Sequence, residues 1–555
     1  MKKIFTLILP LFLLINSAYS QDRYVVFFTD KNNSPFSLTT PLDYLSQRAI
    51  DRRSAQGISI TVNDLPVNPS YTAGVTATGA SLLGTTKWFN AVIVWANANQ
   101  INQISSLPFV AGFDQVGRYG TQVTSNKFDK EHFQRTADSG LPVGKIASFN
   151  YGTSFNQISM LNGHMMHDNG YTGAGLVIAV LDAGFLNVDI MACFDSLRNN
   201  GRLLSTYDFV DPGSSVYNDD SHGAMVLSAM AAILPGDMVG TAPHASYHLL
   251  RSENAPSEDI IEEYFWASAA EYADSAGADI INSSLGYTLF DDPSQNHTYS
   301  DLNGHTTPIA IAGNTAASKG MIVVNSAGNE GDDPWFHIST PADGDSVLAV
   351  GAVDASSNYA NFSGKGPSFD GRVKPDVAAQ GEQAVVVEPW SGLGDATITA
   401  NGTSFSSPIT AGMMACLWQC NPTASNMMLI DAIRQSAHQF NNPDSLMGYG
   451  IPDFTQACLI LGGIDPGIAL LGDKLTVEGN PFSNNLIFSI YSNDTQKATI
   501  RIIDMLGKTV YKSSENILGI TMNRFEYNIR LPKGVYTLEV YGEKSVLNSK
   551  IISDQ

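Results

Sequence analysis

Val177-Ile178-Ala179-Val180-Leu181-Asp182 is five apolar residues in a row closed by a carboxylate. No polar residue alternates with the apolar ones, so a strand built from this run needs both faces covered, as in a parallel sheet between helices. The surrounding chain repeats the pattern. Tyr247-His248-Leu249-Leu250, Asp279-Ile280-Ile281-Asn282, Met321-Ile322-Val323-Val324 and Val347-Leu348-Ala349-Val350 are short strand-like runs. A helix starting near His222 and an amphipathic helix from Glu258 to Ala276 fall between them. Strands alternating with helices predict an α/β fold, a parallel sheet with helices on both faces, over residues 146–462. Functional residues of such sheets gather at the carboxyl ends of strands, where Asp182 and Asn329 stand.

The remainder of the 555 residues is too long for that one core. Residues 1–20 carry Lys2-Lys3, an apolar run from Ile4 to Ile15 and then Ala18-Tyr19-Ser20, the layout of a Sec signal peptide. That run is too short to span a bilayer, and no later segment has the unbroken apolar length of a transmembrane helix. Residues 22–145 mix strand-like runs (Arg23 to Phe28, Phe89 to Trp95, Val110 to Phe113) with candidate helices (Tyr44 to Arg53, Asn99 to Leu107), which predicts a small α+β unit. Gly462-Gly463, Asp465-Pro466-Gly467 and Gly479-Asn480-Pro481 mark a linker over 463–480. From 473 to 555 the texture is all β. Leu486–Tyr491, Thr499–Asp504, Lys508–Lys512, Arg524–Ile529, Val535–Tyr541 and Val546–Ile552 recur at the spacing of a β-sandwich.

A formal net charge of −22 repels phosphate backbones and argues against a nucleic-acid partner. Four cysteines follow the leader, and no CxxC or His-rich spacing suggests zinc. Cys416 and Cys420 lie four apart on a predicted helix, with parallel Cβ directions that suit a disulfide poorly. Cys420 with Cys458 is therefore the pairing to test first, against the alternative of buried thiols.

Three segments supply an Asp, a His and a Ser in that order: Asp182-Ala183-Gly184, Asp220-Ser221-His222-Gly223, and Gly402-Thr403-Ser404-Phe405-Ser406-Ser407-Pro408. A serine hydroxyl becomes a nucleophile when an imidazole takes its proton and a carboxylate orients the imidazole. His222 opens a helix rich in small residues, which lets that helix pack closely on the sheet. Ser404 is expected to begin a helix whose N-terminus favours a developing oxyanion, with Pro408 tolerated in the first turn. Acyl transfer also needs donors aimed at that oxyanion, and Ser326-Ala327-Gly328-Asn329-Glu330-Gly331 follows a buried strand.

These motifs resemble those of the subtilisin-like serine peptidases, the subtilases. The order Asp, His, Ser separates them from chymotrypsin-like and α/β-hydrolase arrangements. The chain departs from the usual Asp-Ser/Thr-Gly and His-Gly-Thr-His-Val-Ala, reading Asp-Ala-Gly and His-Gly-Ala-Met-Val-Leu. The resemblance implies a serine endopeptidase acting on proteins or peptides through an acyl-enzyme, with Asp182, His222 and Ser404 as the triad and Asn329 as oxyanion donor. It implies substrate contacts at Ser284, Leu285, Gly286, Gly328 and Glu330, the last at the rim of a pocket for apolar or basic side chains. It also implies that residues 22–145 are a prodomain inhibiting the enzyme. No cofactor is required; subtilases often carry structural calcium, and Asp291-Asp292 and Asp301 lie in an apparent insertion between Gly286 and Met321 that reads as a solvated loop. Gly479-Asn480-Pro481-Phe482, Leu506-Gly507-Lys508, Leu531-Pro532-Lys533-Gly534-Val535-Tyr536 and Ser549-Lys550-Ile551-Ile552 resemble a type A C-terminal sorting domain of the type IX secretion system. That implies secretion-machinery partners and a secreted or cell-surface address. The competing reading is an inactive surface adhesin or binding protein on the same scaffold.

Overall fold

A computed structural model describes residues 21–117, 127–128, 133–135, 144–145, 149–462, 474–478, 480–492, 496–517, 521–542 and 546–554. The signal-peptide reading and most of the linker lie outside these residues.

The N-terminal unit is a four-stranded antiparallel sheet with three helices. Its elements are β1 (Asp22–Phe28), α1 (Gln47–Ala55), α2 (Pro69–Thr76), β2 (Ser81–Thr86), β3 (Ala91–Ala96), α3 (Ala98–Ser105) and β4 (Val110–Gly117), in the strand order β2-β3-β1-β4. Strand β2 and helix α2 carry little periodic signal and were not expected from the sequence. Helix α3 was, and Asn97 with Gln100 closes a reciprocal capping box at its start.

The central unit contains β5 (Val177–Asp182), β6 (Leu203–Asp208), α4 (His222–Ala231), β7 (Ser246–Arg251), α5 (Ile261–Ala276), β8 (Ile280–Ser283), α6 (Pro308–Ser318), β9 (Ile322–Ser326), β10 (Val347–Val353), β11 (Val377–Gln380) and α7 (Thr403–Cys420). Seven strands form one sheet in the order β11-β10-β9-β8-β5-β7-β6, with every neighbouring pair parallel. All six residues of β5 are buried. Ile178 and Val180 join a cluster with α4 and α7, while Val177, Ala179 and Leu181 join another with α5 and α6. The unbroken apolar run thus reflects two covered faces.

Three expectations need correction. Helix α5 is buried on nearly all sides, Glu262, Glu263, Glu271 and Asp274 included, because the N-terminal unit covers Glu271 and Asp274 while His297 and Ile309 cover Glu263. The segment read as a solvated loop contains α6, started by Thr307 as N-cap and Pro308 at the first position, with Ile309, Ala310 and Ala312 buried. The third concerns the overlap of the linker and sandwich readings at 473–480, where strand β12 (Lys474–Glu478) falls to the C-terminal sandwich.

That sandwich adds β13 (Asn485–Ser492), β14 (Gln496–Asp504), β15 (Thr509–Ile517), β16 (Thr521–Asn528), β17 (Gly534–Tyr541) and β18 (Val546–Ser553). One sheet orders β12-β13-β16 and the other β15-β14-β17-β18, around a core including Leu486, Phe488, Ile500, Ile502 and Leu538. Cys420, the last residue of α7, is bonded to Cys458, whereas Cys193 and Cys416 are buried thiols.

Candidate active site

Asp182 ends β5 and His222 begins α4, and the two side chains meet although both are fully buried. His222 Nδ1 lies 2.7 Å from Asp182 Oδ1, which also accepts the Ala183 N–H at 2.8 Å. Burial pushes the Asp182 carboxyl above the usual carboxylate range, and the adjacent imidazole and the Ala183 N–H pull it back. Gly223 makes the approach of strand and helix feasible, since a Cβ there would stand 2.3 Å from Gly184 O and 2.9 Å from Asp182 Cβ. Asp220 Oδ1 accepts the His222 N–H at 2.8 Å, supplying the helix-start acceptor that Ser221 does not.

Ser404 is the second residue of α7, which Gly402 caps, and is 3% exposed. Pro408 lies in the second turn rather than the first. A proline there cannot donate to the carbonyl four residues back, which is that of Ser404. Ser284 Oγ donates to that carbonyl instead, at 2.8 Å. The ring of Phe405, the next residue, is centred 6.1 Å from the His222 ring.

Asn329 follows β9, and its Oδ1 accepts both the Thr403 N–H at 2.8 Å and the Thr403 hydroxyl at 3.0 Å. Holding the amide by its oxygen leaves Nδ2 as the end that can donate elsewhere. The partner Thr403 was not singled out in the sequence, although it stands in the motif beside Ser404. Gly328 adopts a φ of +104°, and a Cβ there would sit 2.8 Å from both Glu330 Oε2 and Ser339 Oγ. Glu330 Oε2 accepts the Asn329 N–H at 2.9 Å.

Ser284, Leu285, Gly286, Gly328, Asn329, Glu330 and Ser404 line one cleft of about 410 Å³. These seven of the residues singled out from the sequence therefore share a cleft, while Asp182 and His222 meet each other. Asp291, Asp292 and Asp301 do not converge: Asp292 and Asp301 each serve their own turn, accepting the backbone N–H of Ser294 and Thr298 respectively, while Asp291 accepts the Glu258 N–H at 3.2 Å. Among the described residues, the carboxylates that converge are Glu253, Glu258 and Glu262, with ligand oxygens within 4.8 Å of one another.

These three were overlooked in the sequence, where two of them read as the start of an amphipathic helix, and so were Lys127 and Phe128. Glu253 and Glu258 line the cleft just described, together with Lys127 and Phe128 of the N-terminal segment. The Lys127 ammonium pairs with Glu253 and lies 3.0 Å from both Glu258 Oε2 and Glu262 Oε2. Phe128 stacks on the His222 ring at 4.0 Å between centroids and 12° between planes. A little further on, Phe133–Arg135 pairs antiparallel with Thr397–Ala400, the strand that leads into α7.

The N-terminal sheet docks on α5. Val25, Ala91, Ile93 and Val116 pack on Ile261, Tyr264 and Phe265. Beyond this apolar stripe, Arg52 Nη2 and Arg53 Nη2 reach Asp274 at 2.6 and 2.8 Å, Arg53 and Lys319 reach Asp64 at 3.0 Å, and the Lys87 and Trp88 N–H groups donate to Glu271.

A parallel-sheet scaffold carrying an Asp–His pair and a serine at a helix start is the architecture of a subtilase. The model of the Subtilase family matches residues 173–450, half of the chain, and the chain belongs to that family. Residues 23–133 match the Peptidase S8 propeptide domain of Bacteroidota, and residues 479–554 match the Secretion system C-terminal sorting domain. Subtilisin E of Bacillus subtilis is 29% identical over 289 residues, which cover 51% of this chain and 66% of that protein. Subtilisin Savinase of Lederbergia lenta is 28% identical over 295 residues, covering 53% and 94%. The chain thus spans about two thirds of the length of the curated relatives it first matches. The crystal structure of MycP1 from Mycobacterium smegmatis is 23% identical at a TM-score of 0.43, covering 57% of this chain and 89% of that one. The sorting domain directs the chain to type IX export. Among the described residues, no helix is long and apolar enough to cross a membrane.

Proposed function

We propose that this chain is the precursor of an exported serine endopeptidase, hydrolysing protein or peptide substrates through an acyl-enzyme on Ser404. The observation that carries the reading is the buried Asp182–His222 bond, beside a cleft that Ser404 and Asn329 share. In this reading His222 Nε2 takes the Ser404 proton as Oγ attacks the substrate carbonyl, and later gives it to the leaving amine. Asp182 accepts from Nδ1, fixes the tautomer and stabilises the imidazolium. Asn329 Nδ2 donates to the oxyanion; its amide is already oriented by Thr403, so little reorganisation is needed. Ser284 to Gly286 offer their main chain to an extended substrate, and Gly328 and Glu330 border the pocket for its side chain.

The propeptide acts as inhibitor. Phe128 covers the imidazole and Lys127 fills part of the cleft, so substrate and propeptide compete for one space. An inactive binding protein has less support, because such a role needs neither the buried acid–imidazole pair nor an amide held beside the serine.

Replacing Ser404 tests the reading. Ser404→Ala should abolish peptidase activity and fluorophosphonate labelling while the protein stays folded; the loss of kcat for this change in a subtilisin, a relative, is about 10⁶. Labelling that persists in the variant would refute Ser404 as nucleophile.

A further inference from the structure

The glutamate trio stands apart from the acid–imidazole pair and has no role in the chemistry just described. Its geometry is built rather than incidental. Glu253 receives the Tyr287 hydroxyl, and Glu262 accepts the Asn254 N–H at 3.1 Å and the Asp259 N–H at 3.2 Å. Glu253 and Glu262 are 1% exposed, and Glu258 is half-buried at the cleft wall. Buried carboxylates brought this close need a cation, and here the cation is Lys127. That lysine lies within the propeptide match, so it leaves when the propeptide leaves.

The way Lys127 arrives identifies what replaces it. Its backbone N–H donates to Ala255 O at 3.3 Å, a main-chain bond alongside the 253–255 segment, and the next residue covers His222. Its side chain therefore enters the trio from the substrate cleft, with the two residues 127–128 set against the 253–255 segment and His222 where residues of a bound peptide would lie. We propose that Glu253, Glu258 and Glu262 form a subsite for a Lys or Arg side chain of the substrate, one residue before the residue that covers His222. This rests on the peptidase reading above and gives it a substrate class: polypeptides with a basic residue at that place. Lys127 holds the subsite in the precursor.

The test uses the full chain, allowed to mature, with active sites counted by a fluorophosphonate. A positional peptide library is digested and the cleaved bonds are identified by mass spectrometry, for wild type, Glu258→Gln, Glu253→Gln and Glu330→Gln. Wild type should cleave peptides with Lys or Arg at one defined position at least tenfold faster, in kcat/KM, than those with Met or Gln there. Glu258→Gln or Glu253→Gln should cut that ratio at least threefold among labelled sites, and Glu330→Gln should leave it. A flat profile with full labelling overturns the subsite and spares the peptidase reading, whereas wild type that never labels overturns both. A basic preference abolished by Glu330→Gln assigns it to the other pocket and overturns the proposal. So does a calcium-dependent rise in Tm, lost in Glu258→Gln, without any basic preference. If both trio variants fail to fold, the wild-type and Glu330→Gln profiles decide.

Discussion

The central sheet and the face of α5 that receives the propeptide are both buried, yet they are built from opposite materials. Strands β5, β8, β9 and β10 are buried at every position and mostly apolar. The α5 face adds to its apolar stripe Glu271 and Asp274 against Arg52, Arg53 and Lys87, with Asp64 and Lys319 close by, all less than a tenth exposed. The difference follows from what each surface meets next. The sheet never faces water, so apolar contact is its best use of area. The two sides of the docking face must each become a solvated surface when the propeptide departs, and bare apolar patches of that size invite aggregation. Charges rehydrate on separation. While docked they must be fully paired, because an unpaired buried charge is costly. Burial alone would raise the Asp274 carboxyl, but Lys87, Arg52 and Arg53 hold it below the usual carboxylate range.

Asp274→Ala should break the contrast most sharply. It leaves Arg52, Arg53 and Lys87 without their shared carboxylate at a cost of about 3–5 kcal/mol, so the propeptide added in trans should inhibit about 10²- to 4 × 10³-fold less well. Urea denaturation of the mature enzyme, measured on a Ser404→Ala background, should change little. Equal damage to both quantities would mean that the face is ordinary core.

Ile281→Ala, in the sheet, should do the reverse. A fully buried side chain lost from the cluster with Trp266 and Val323 costs about 2–5 kcal/mol, in precursor and mature protein alike. Unchanged inhibition by the propeptide accompanies it.

The cleft end of the propeptide adds a pH signature. Burial lifts the Glu258 carboxyl to about 8 even with Lys127 beside it, and Lys127 is the cause that lowers it. Burial is the largest cause, and departure of the propeptide opens the cleft wall to water, so the free carboxyl returns toward its ordinary range and docking takes up a proton between that range and about pH 8. Inhibition should therefore weaken as pH rises toward about 8, by up to about tenfold per unit for one proton, and level off above it. Inhibition constants at pH 6 and 8 decide the sign; a tighter complex at pH 8 contradicts it.

Phe128→Ala should have the smallest effect. Losing a ring stacked on His222 forfeits about 0.5–1.5 kcal/mol beyond the area it covers, a loss of inhibition of about two- to tenfold. No change at all would leave the α5 face as the whole of the docking energy.

What could be read in advance divides along the same line. The strand ending at Asp182, the helix opening at His222, the Ser404 motif and Asn329 are local patterns; the structure pairs Asp182 with His222 and sets Ser404 and Asn329 on one cleft. The Cys420–Cys458 bond was legible because helix geometry disfavoured the nearer pair. Residues whose meaning depends on a distant partner were not legible. Glu262 and Asp274 read as the polar side of an amphipathic helix, since nothing local says that a separate unit covers them. Lys127 and Phe128 lie in a stretch without motif, and their significance arises only from folding back onto Glu253 and His222. Strands β2 and β6 were missed because half-exposed strands carry a weaker apolar signal than β5.

Pro408 has a bearing on engineering. By removing one N–H from α7 it leaves the Ser404 carbonyl to the Ser284 hydroxyl, so the backbone that carries Ser404 and the Ser284 to Gly286 segment share a single hinge pin. A designer who reshapes the Ser284 to Gly286 wall to change selectivity will also move the serine. Restoring an ordinary residue at 408 gives that carbonyl a second donor within its own helix, which would let the two properties be tuned separately.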